Sequence, residues 1–339
     1  YARPTSPVLA GVGAEGVVFD RAISPTSWTL PSHGSMFTGQ LPNELSTSFV
    51  SPLDGTFPTL AEQLRDRGYA TAGFVANLVF GTPLFGLDRG FIHYEAQPVS
   101  LGMTLESAWI IRYPLRQLQL KNGRLAVKDA ARITGDFLAW HGEQAPERPW
   151  FGFLNYFDAH GPYRSPPAWR ARFMEPGRPV PRIRGGGGAI AYQAWERDAL
   201  RDAYDGAIAW IDFQLGVLFD SLRARGDLDR TLVIVTSDHG EAFGAHGQMG
   251  HGQGQHIQVM HVPLLVRYPA LAGAGRVRQP VTLADLPASV MAALGIADHP
   301  FPGRPWCGLL EDGGGRGVPV FAEYQERRSV LVDGWHFIR

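Results

Sequence analysis

Three short polar segments hold the residues best suited to chemistry: Thr29-Leu30-Pro31-Ser32-His33, Asp158-Ala159-His160-Gly161-Pro162-Tyr163 and Ser237-Asp238-His239-Gly240-Glu241. An adjacent Asp-His pair can offer a carboxylate oxygen and an imidazole nitrogen to one divalent ion. That mixed donor set favours zinc or manganese over calcium, which prefers oxygen alone. A hydroxyl is a weak nucleophile at neutral pH because it holds its proton tightly, and metal coordination lowers that pKa. At the N-terminus of a helix, Thr29 would also share the dipole that draws phosphate-like anions.

Taken singly, each of these residues has a purely structural reading. A threonine before Leu-Pro-Ser is often a helix cap, a histidine beside Pro162 can close a turn, and an aspartate after a strand can cap the next helix. The histidines are harder to explain that way. Five of the chain's 11 histidines, His239, His246, His251, His256 and His261, fall within 23 residues among glycines and glutamines. A core could not satisfy so many imidazoles and a solvated loop has no need of them, so metal or oxyanion binding is expected there.

Strand-like and helix-like segments alternate, which predicts an α/β fold around a largely parallel sheet flanked by helices. Strands are expected at 16–19, 70–75, 150–154, 231–236 and 262–266. Helices are expected at 60–67 (stopping at Gly68), 129–140, 196–225 and 283–294, with a terminal hairpin over 329–338 turning at Asp333-Gly334. The three polar segments then lie just after strands, where α/β folds place their sites. The glycine run 185–188, with the Arg/Pro-rich 176–184 before it, predicts a mobile surface insertion within one domain spanning 1–339.

In order along the chain, these segments resemble the sulfatase family of the alkaline phosphatase superfamily. The likeness rests on Gly16 to Ala22 followed by Trp28-Thr29-Leu30-Pro31-Ser32-His33-Gly34-Ser35-Met36-Phe37-Thr38-Gly39. It continues with Thr231 to Glu241, His251-Gly252, Val262-Pro263-Leu264-Leu265-Val266 and the closing Asp333 to Arg339. Sulfatases carry Cys or Ser, any residue, Pro, any residue and Arg, and oxidise the first to formylglycine. The corresponding positions here are Thr29, Pro31 and His33. Threonine cannot become formylglycine, and His33 replaces the arginine that would hold the oxyanion.

A threonine at this position resembles the phosphoethanolamine transferases and lipoteichoic acid synthases, whose threonine takes up a phosphoryl group and passes it on. Those enzymes also have Ser-Asp-His-Gly-Glu with a His-Gly thirteen residues after the aspartate, as His251 follows Asp238 here, and a His-Gly-Pro element like His160-Gly161-Pro162. The resemblance implies a metal at Asp238, His239 and Thr29, with attack by Thr29. It implies that His33, His160 and His251 hold the substrate's oxyanion, or that His160 or His251 protonates the leaving group. Its implied function is a metal-dependent phosphate ester hydrolase or transferase, a phosphodiesterase or phosphotransferase working through phospho-threonine. Sulfate ester hydrolysis is the alternative, and a catalytically inactive binding protein is the alternative from another class. The family's first strand ends in an acidic ligand, and nothing here matches it. The chain is therefore expected to lack that strand and to be truncated at the N-terminus, and at the C-terminus as well.

Bulk composition is consistent with this reading. Hydrophobic residues make up 45% of the 339 and the formal net charge is −1, with no basic run, so nothing points to nucleic acid. A single cysteine excludes an intrachain disulfide, and no apolar run approaches the roughly 20 residues that span a bilayer. The expected partner is a small-molecule, lipid or glycan ester. Neither compartment nor oligomeric state can be read from the chain.

Overall fold

The computed structural model describes residues 1–77, 79–96, 128–184, 192–268, 274–309 and 318–339. The chain opens with helix α1 (Pro7–Glu15), whose first amides, Val8 N and Leu9 N, each donate to the Asp212 carboxylate at 2.9 Å. Strands β1 (Val17–Phe19) and β2 (Ala22–Ile23) lead to α2 (Thr29–Thr38), which stops at Gly39 in the left-handed region at φ 75°. Helix α3 (Leu60–Arg65) starts from a reciprocal capping box between Thr59 and Glu62, then β3 (Ala70–Val75) and β4 (His93–Glu95) follow. Next come α4 (Ala130–Gly142), β5 (Trp150–Asn155), the long α5 (Ala194–Ala224) and β6 (Val233–Thr236).

Beyond β6 the chain stays at one end of the fold through the short β7 (Ala242–Phe243), β8 (Met249–Gly250) and β9 (His261–Val262). It returns through β10 (Leu264–Arg267), β11 (Gly275–Val277) and β12 (Val281–Thr282) to α6 (Leu286–Ala293). It closes with an antiparallel sheet of β13 (Val320–Tyr324), β14 (Arg327–Val332) and β15 (Trp335–Ile338).

Helices cover both faces of the strands. On one side Ile133 and Phe137 of α4 and Leu215, Leu218 and Phe219 of α5 pack on Ala72 and Phe74 of β3, with Leu154, Val233 and Val235 against them. On the other, Leu60 and Leu64 of α3 and Val290 and Met291 of α6 meet Phe151 and Ile234, while Leu30, Met36 and Phe37 of α2 pack with Val17, Phe19 and Leu264. This three-layer arrangement is the expected α/β fold.

The sheet is less parallel than expected. β3 pairs in parallel with β4 and β5, but β10 runs antiparallel to both β1 and β6, with Leu264 opposite Thr236. The reason is the connection: with no long crossover helix between β6 and β10, the chain turns back where it stands. β6 also begins at Val233 rather than 231, and residues 283–285 form a 3-10 turn ahead of α6. The expected insertion over 176–188 is partly anchored. Val180 and Ile183 pack beside Tyr163 and Met174, and Arg184 N donates to Tyr192 OH at 2.6 Å, while 185–188 lie outside the described residues.

The two strands that carry the polar loops differ from β3. Every residue of β3 is buried, whereas β5 and β6 are half-buried along their whole length despite apolar sequences. They share the same covering helices, yet among the described residues β5 pairs only with β3 and β6 only with β10. Both therefore present an unpaired edge.

Candidate active site

Thr29 is the first residue of α2, set there by Trp28 in extended conformation (φ −132°, ψ 136°). Its neighbours in the first turn leave amides without helical partners, and Pro31 has none to leave unsatisfied. The threonine is 6% exposed, and its Oγ1 lies 3.2 Å from His239 Nε2. Two α2-side hydroxyls clamp the opposite loop: Ser24 Oγ and Ser32 Oγ both donate to the Asp238 carbonyl, the latter at 2.6 Å. The start of α2 and the end of β6 are thus tied together by hydrogen bonds through buried polar groups, which are costly to break.

His239 Nδ1 is 2.9 Å from Gly240 O. A carbonyl can only accept, so Nδ1 carries the hydrogen and Nε2 keeps its lone pair toward Thr29. Burial lowers the His239 pKa, which preserves this neutral, ligand-ready form. Asp238 Oδ1 accepts from His239 N at 3.0 Å, and Oδ2 lies 3.4 Å from His239 Nε2. Burial would push the Asp238 carboxyl up, but its electrostatic interactions with the surrounding imidazoles, His239 first, hold it below its ordinary value. His33 sits beneath Thr29: its Nδ1 donates to Thr29 O at 2.8 Å and lies 3.6 Å from Asp238 Oδ2, and its ring packs edge-on against Phe153.

His160 and His251 complete the cluster. The His251 ring lies 4.2 Å from that of His239 and 5.0 Å from that of His160, centroid to centroid. His160 donates Nδ1–H to Gly161 O at 2.9 Å, and its pKa is lowered by burial. His251 Nδ1 is 3.3 Å from both oxygens of Glu241; burial opposes its charge, but that carboxylate outweighs it and raises the pKa. Glu241 lies in the segment the sequence marks, but nothing in the residue order assigns it to His251. Ser24, Ser32 and Trp28 likewise carry no signal as residues that shape the site.

The structure thus brings together Thr29, His33, His160, Asp238, His239 and His251 from three segments spread over more than 200 residues. It divides the histidine-rich stretch over which metal or oxyanion binding is expected. His246 and His256 stack on each other with centroids 3.8 Å apart, and His261 Nε2 donates to Asp20 O at 2.9 Å, leaving His239 and His251 in the site. Asp238 and His239 are two metal-type donors, with the Thr29 hydroxyl beside them. Among the described residues no three His, Cys, Asp or Glu side chains converge to hold an ion. The donors fit a divalent metal in kind and fall short of a full set in number.

Comparison with known proteins bears on the family and the fold. The sequence pattern of the sulfatase family matches residues 1–296. Human iduronate 2-sulfatase is 22% identical over 308 residues, covering 78% of this chain and 55% of its own length. The multifunctional alkaline phosphatase superfamily protein PehA of Trinickia caryophylli is 28% identical over 320 residues, covering 77% of this chain and 62% of its own. The chain therefore spans little more than half of such relatives. The crystal structure of the phosphonate monoester hydrolase of Agrobacterium radiobacter has a TM-score of 0.75 at 20% identity, over 100% of this chain and 85% of the other, which speaks for the fold. With a family match over most of its length and the family's architecture around the site, the chain belongs to the sulfatase family of the alkaline phosphatase superfamily.

Proposed function

We propose that this chain hydrolyses or transfers phosphate esters through a covalent phospho-threonine at Thr29. The observation that carries the reading is the Thr29 hydroxyl, 3.2 Å from the lone pair of His239 Nε2, at the start of a helix and beside Asp238. Enzymes of this family typically use a divalent metal ion. Asp238 and His239 would hold it with Thr29, and their oxygen and nitrogen donors suit zinc or manganese better than calcium. When bound, such an ion lowers a hydroxyl's pKa and offsets the charge of the ester's oxygens.

The chain's own residues account for the rest. Thr29 Oγ1 forms a bond to phosphorus as the bond to the leaving oxygen breaks. His251, anchored through Nδ1 on the Glu241 carboxylate that favours its charged form, has an Nε2–H to hold a phosphoryl oxygen or to give the leaving oxygen its proton, and His160, with its Nδ1–H on Gly161 O, would do either once its Nε2 takes up a proton. Water or an acceptor hydroxyl then takes the phosphoryl group from Thr29. His33 contacts Asp238 and Thr29, so in this reading it supports the nucleophile from behind. Threonine favours phosphorus over sulfur here because it cannot be oxidised to the aldehyde of formylglycine.

The reading includes one more strand. Among the described residues, the half-buried apolar strands β5 and β6 share their covering helices and each pairs on one edge only, so in this reading a strand between them would supply a further acidic ligand for the metal. Sulfate ester hydrolysis is the second reading, favoured by relatives named as sulfatases. The test is a panel of phosphomonoesters, phosphodiesters and sulfate esters with full-length, metal-loaded protein and its Thr29→Ala and Thr29→Ser variants. Phosphorus esters should dominate, Thr29→Ala should lose several orders of magnitude and Thr29→Ser should keep part. Dominant sulfatase activity would overturn the substrate choice, and near-normal Thr29→Ala turnover would overturn the covalent route.

A further inference from the structure

Immediately before Thr29, Trp28 begins an aromatic wall that none of the phosphoryl chemistry uses. Its indole stacks on Phe49 at 4.2 Å between centroids and 22° between planes, and meets Phe80 edge-on at 5.7 Å. It lies 5.8 Å from the ring of His251 and 6.4 Å from that of Tyr324, so the wall borders the phosphoryl-binding histidines directly. Gly252 is required there: it has φ +72°, and a Cβ on it would stand 2.4 Å from the indole. Away from Trp28 the wall is open to solvent, with Phe49 49% exposed, Val50 60% and Val79 52%. Exposed apolar side chains gathered beside a reactive site mark a binding surface rather than chance exposure.

We infer that this wall receives the organic half of the ester, and that the group it fits is a flat aryl ring. The inference rests on the ester-cleaving reading of the site. The chemistry of the wall selects the ring. Its aromatic members, Trp28, Phe49, Phe80 and Tyr324, carry no charge, so an ionic headgroup gains nothing from them. Its indole donor is already used, Trp28 Nε1 donating to Phe49 O at 3.2 Å, and Tyr324 OH accepts from Gln325 Nε2 at 3.4 Å. A sugar needs several hydrogen-bonding partners around its stacking face, and of these two groups only the Tyr324 O–H is left to donate. What remains is the half-exposed Phe49 ring, backed by Trp28, which suits offset stacking with an aromatic group.

The probes are phosphonic acids, which offer the anion without a cleavable ester: 1-naphthyl, n-hexyl and methyl phosphonate, titrated calorimetrically into full-length, metal-loaded protein. The naphthyl acid should bind at least about tenfold more tightly than the methyl acid, and more tightly than the hexyl acid. Phe49→Ala should remove roughly three- to tenfold of naphthyl affinity and leave methyl affinity unchanged. Phe49 is half-exposed, so the variant should fold, and Phe49→Tyr should restore naphthyl binding. Equal affinities for naphthyl and methyl acids, hexyl binding as tight as naphthyl, or an unchanged Phe49→Ala would each overturn the inference. The ester reading fails separately: it falls if Thr29→Ala still turns over, whatever the binding series gives.

Discussion

A threonine hydroxyl at neutral pH is almost entirely protonated, so everything depends on what lies within reach of Thr29 Oγ1. That neighbour is His239 Nε2, whose tautomer is fixed from behind by Gly240 O, with Asp238 Oδ2 beside it. The roles of the three site histidines then separate by position. In full-length protein His239→Ala should lose the metal, whereas His160→Ala and His251→Ala should slow turnover and keep most of it. Metal per chain, measured by atomic emission on each purified variant, decides this, and equal loss in all three would put His160 and His251 on an ion. At this scale the sequence was informative where residue types are chemically distinctive. Thr29, Asp238, His239, His160 and His251 stand out in it and meet in space. It was uninformative about His246, His256 and His261, because nearness in sequence does not set direction: the left-handed backbone at His246 (φ 53°) turns that ring onto His256 instead. Glu241 escaped notice for the opposite reason, since its link to His251 exists only once β7 and β8 fold back on each other.

The elements that position these groups are the start of α2 and the loops beyond β5 and β6. Long periodic segments were legible, as in α5, expected at 196–225 and found at Ala194–Ala224. The two-residue strands β2, β7, β8 and β12 were not, because a period needs several residues to register. β13 was also missed. Its alternation of buried Val320, Ala322 and Tyr324 with outward Phe321 mixes large apolar side chains on both faces. The open edges of β5 and β6 could not have been read at all, since an apolar strand looks the same with one neighbour or two. They do support an outcome at this scale. Residues 1–339 expressed alone should be poorly soluble and bind little metal, because unpaired edges and half-covered apolar faces favour association. Protein that includes the family's first strand should be soluble and carry metal. A soluble, stoichiometrically metal-loaded 1–339 would show that the site is complete without a strand between β5 and β6.

At the scale of the whole molecule, a three-layer α/β body gathers the candidate site at one end of its sheet. The sulfatase family match over residues 1–296 places that body within a known architecture, and the chain covers 55% of human iduronate 2-sulfatase. A relative is named for a sulfate ester and a protein of like fold for a phosphonate ester, so the architecture alone does not choose the anion. The choice rests on one residue type at position 29. Full-length protein should be mixed with an aryl phosphate ester, quenched in acid during turnover, digested, and its Thr29 peptide weighed. The account predicts a fraction of that peptide heavier by one phosphoryl group, located on Thr29 by fragmentation and absent from Thr29→Ala. Robust turnover with an unmodified Thr29 peptide at every quench time, or the phosphoryl group on another residue, would contradict it.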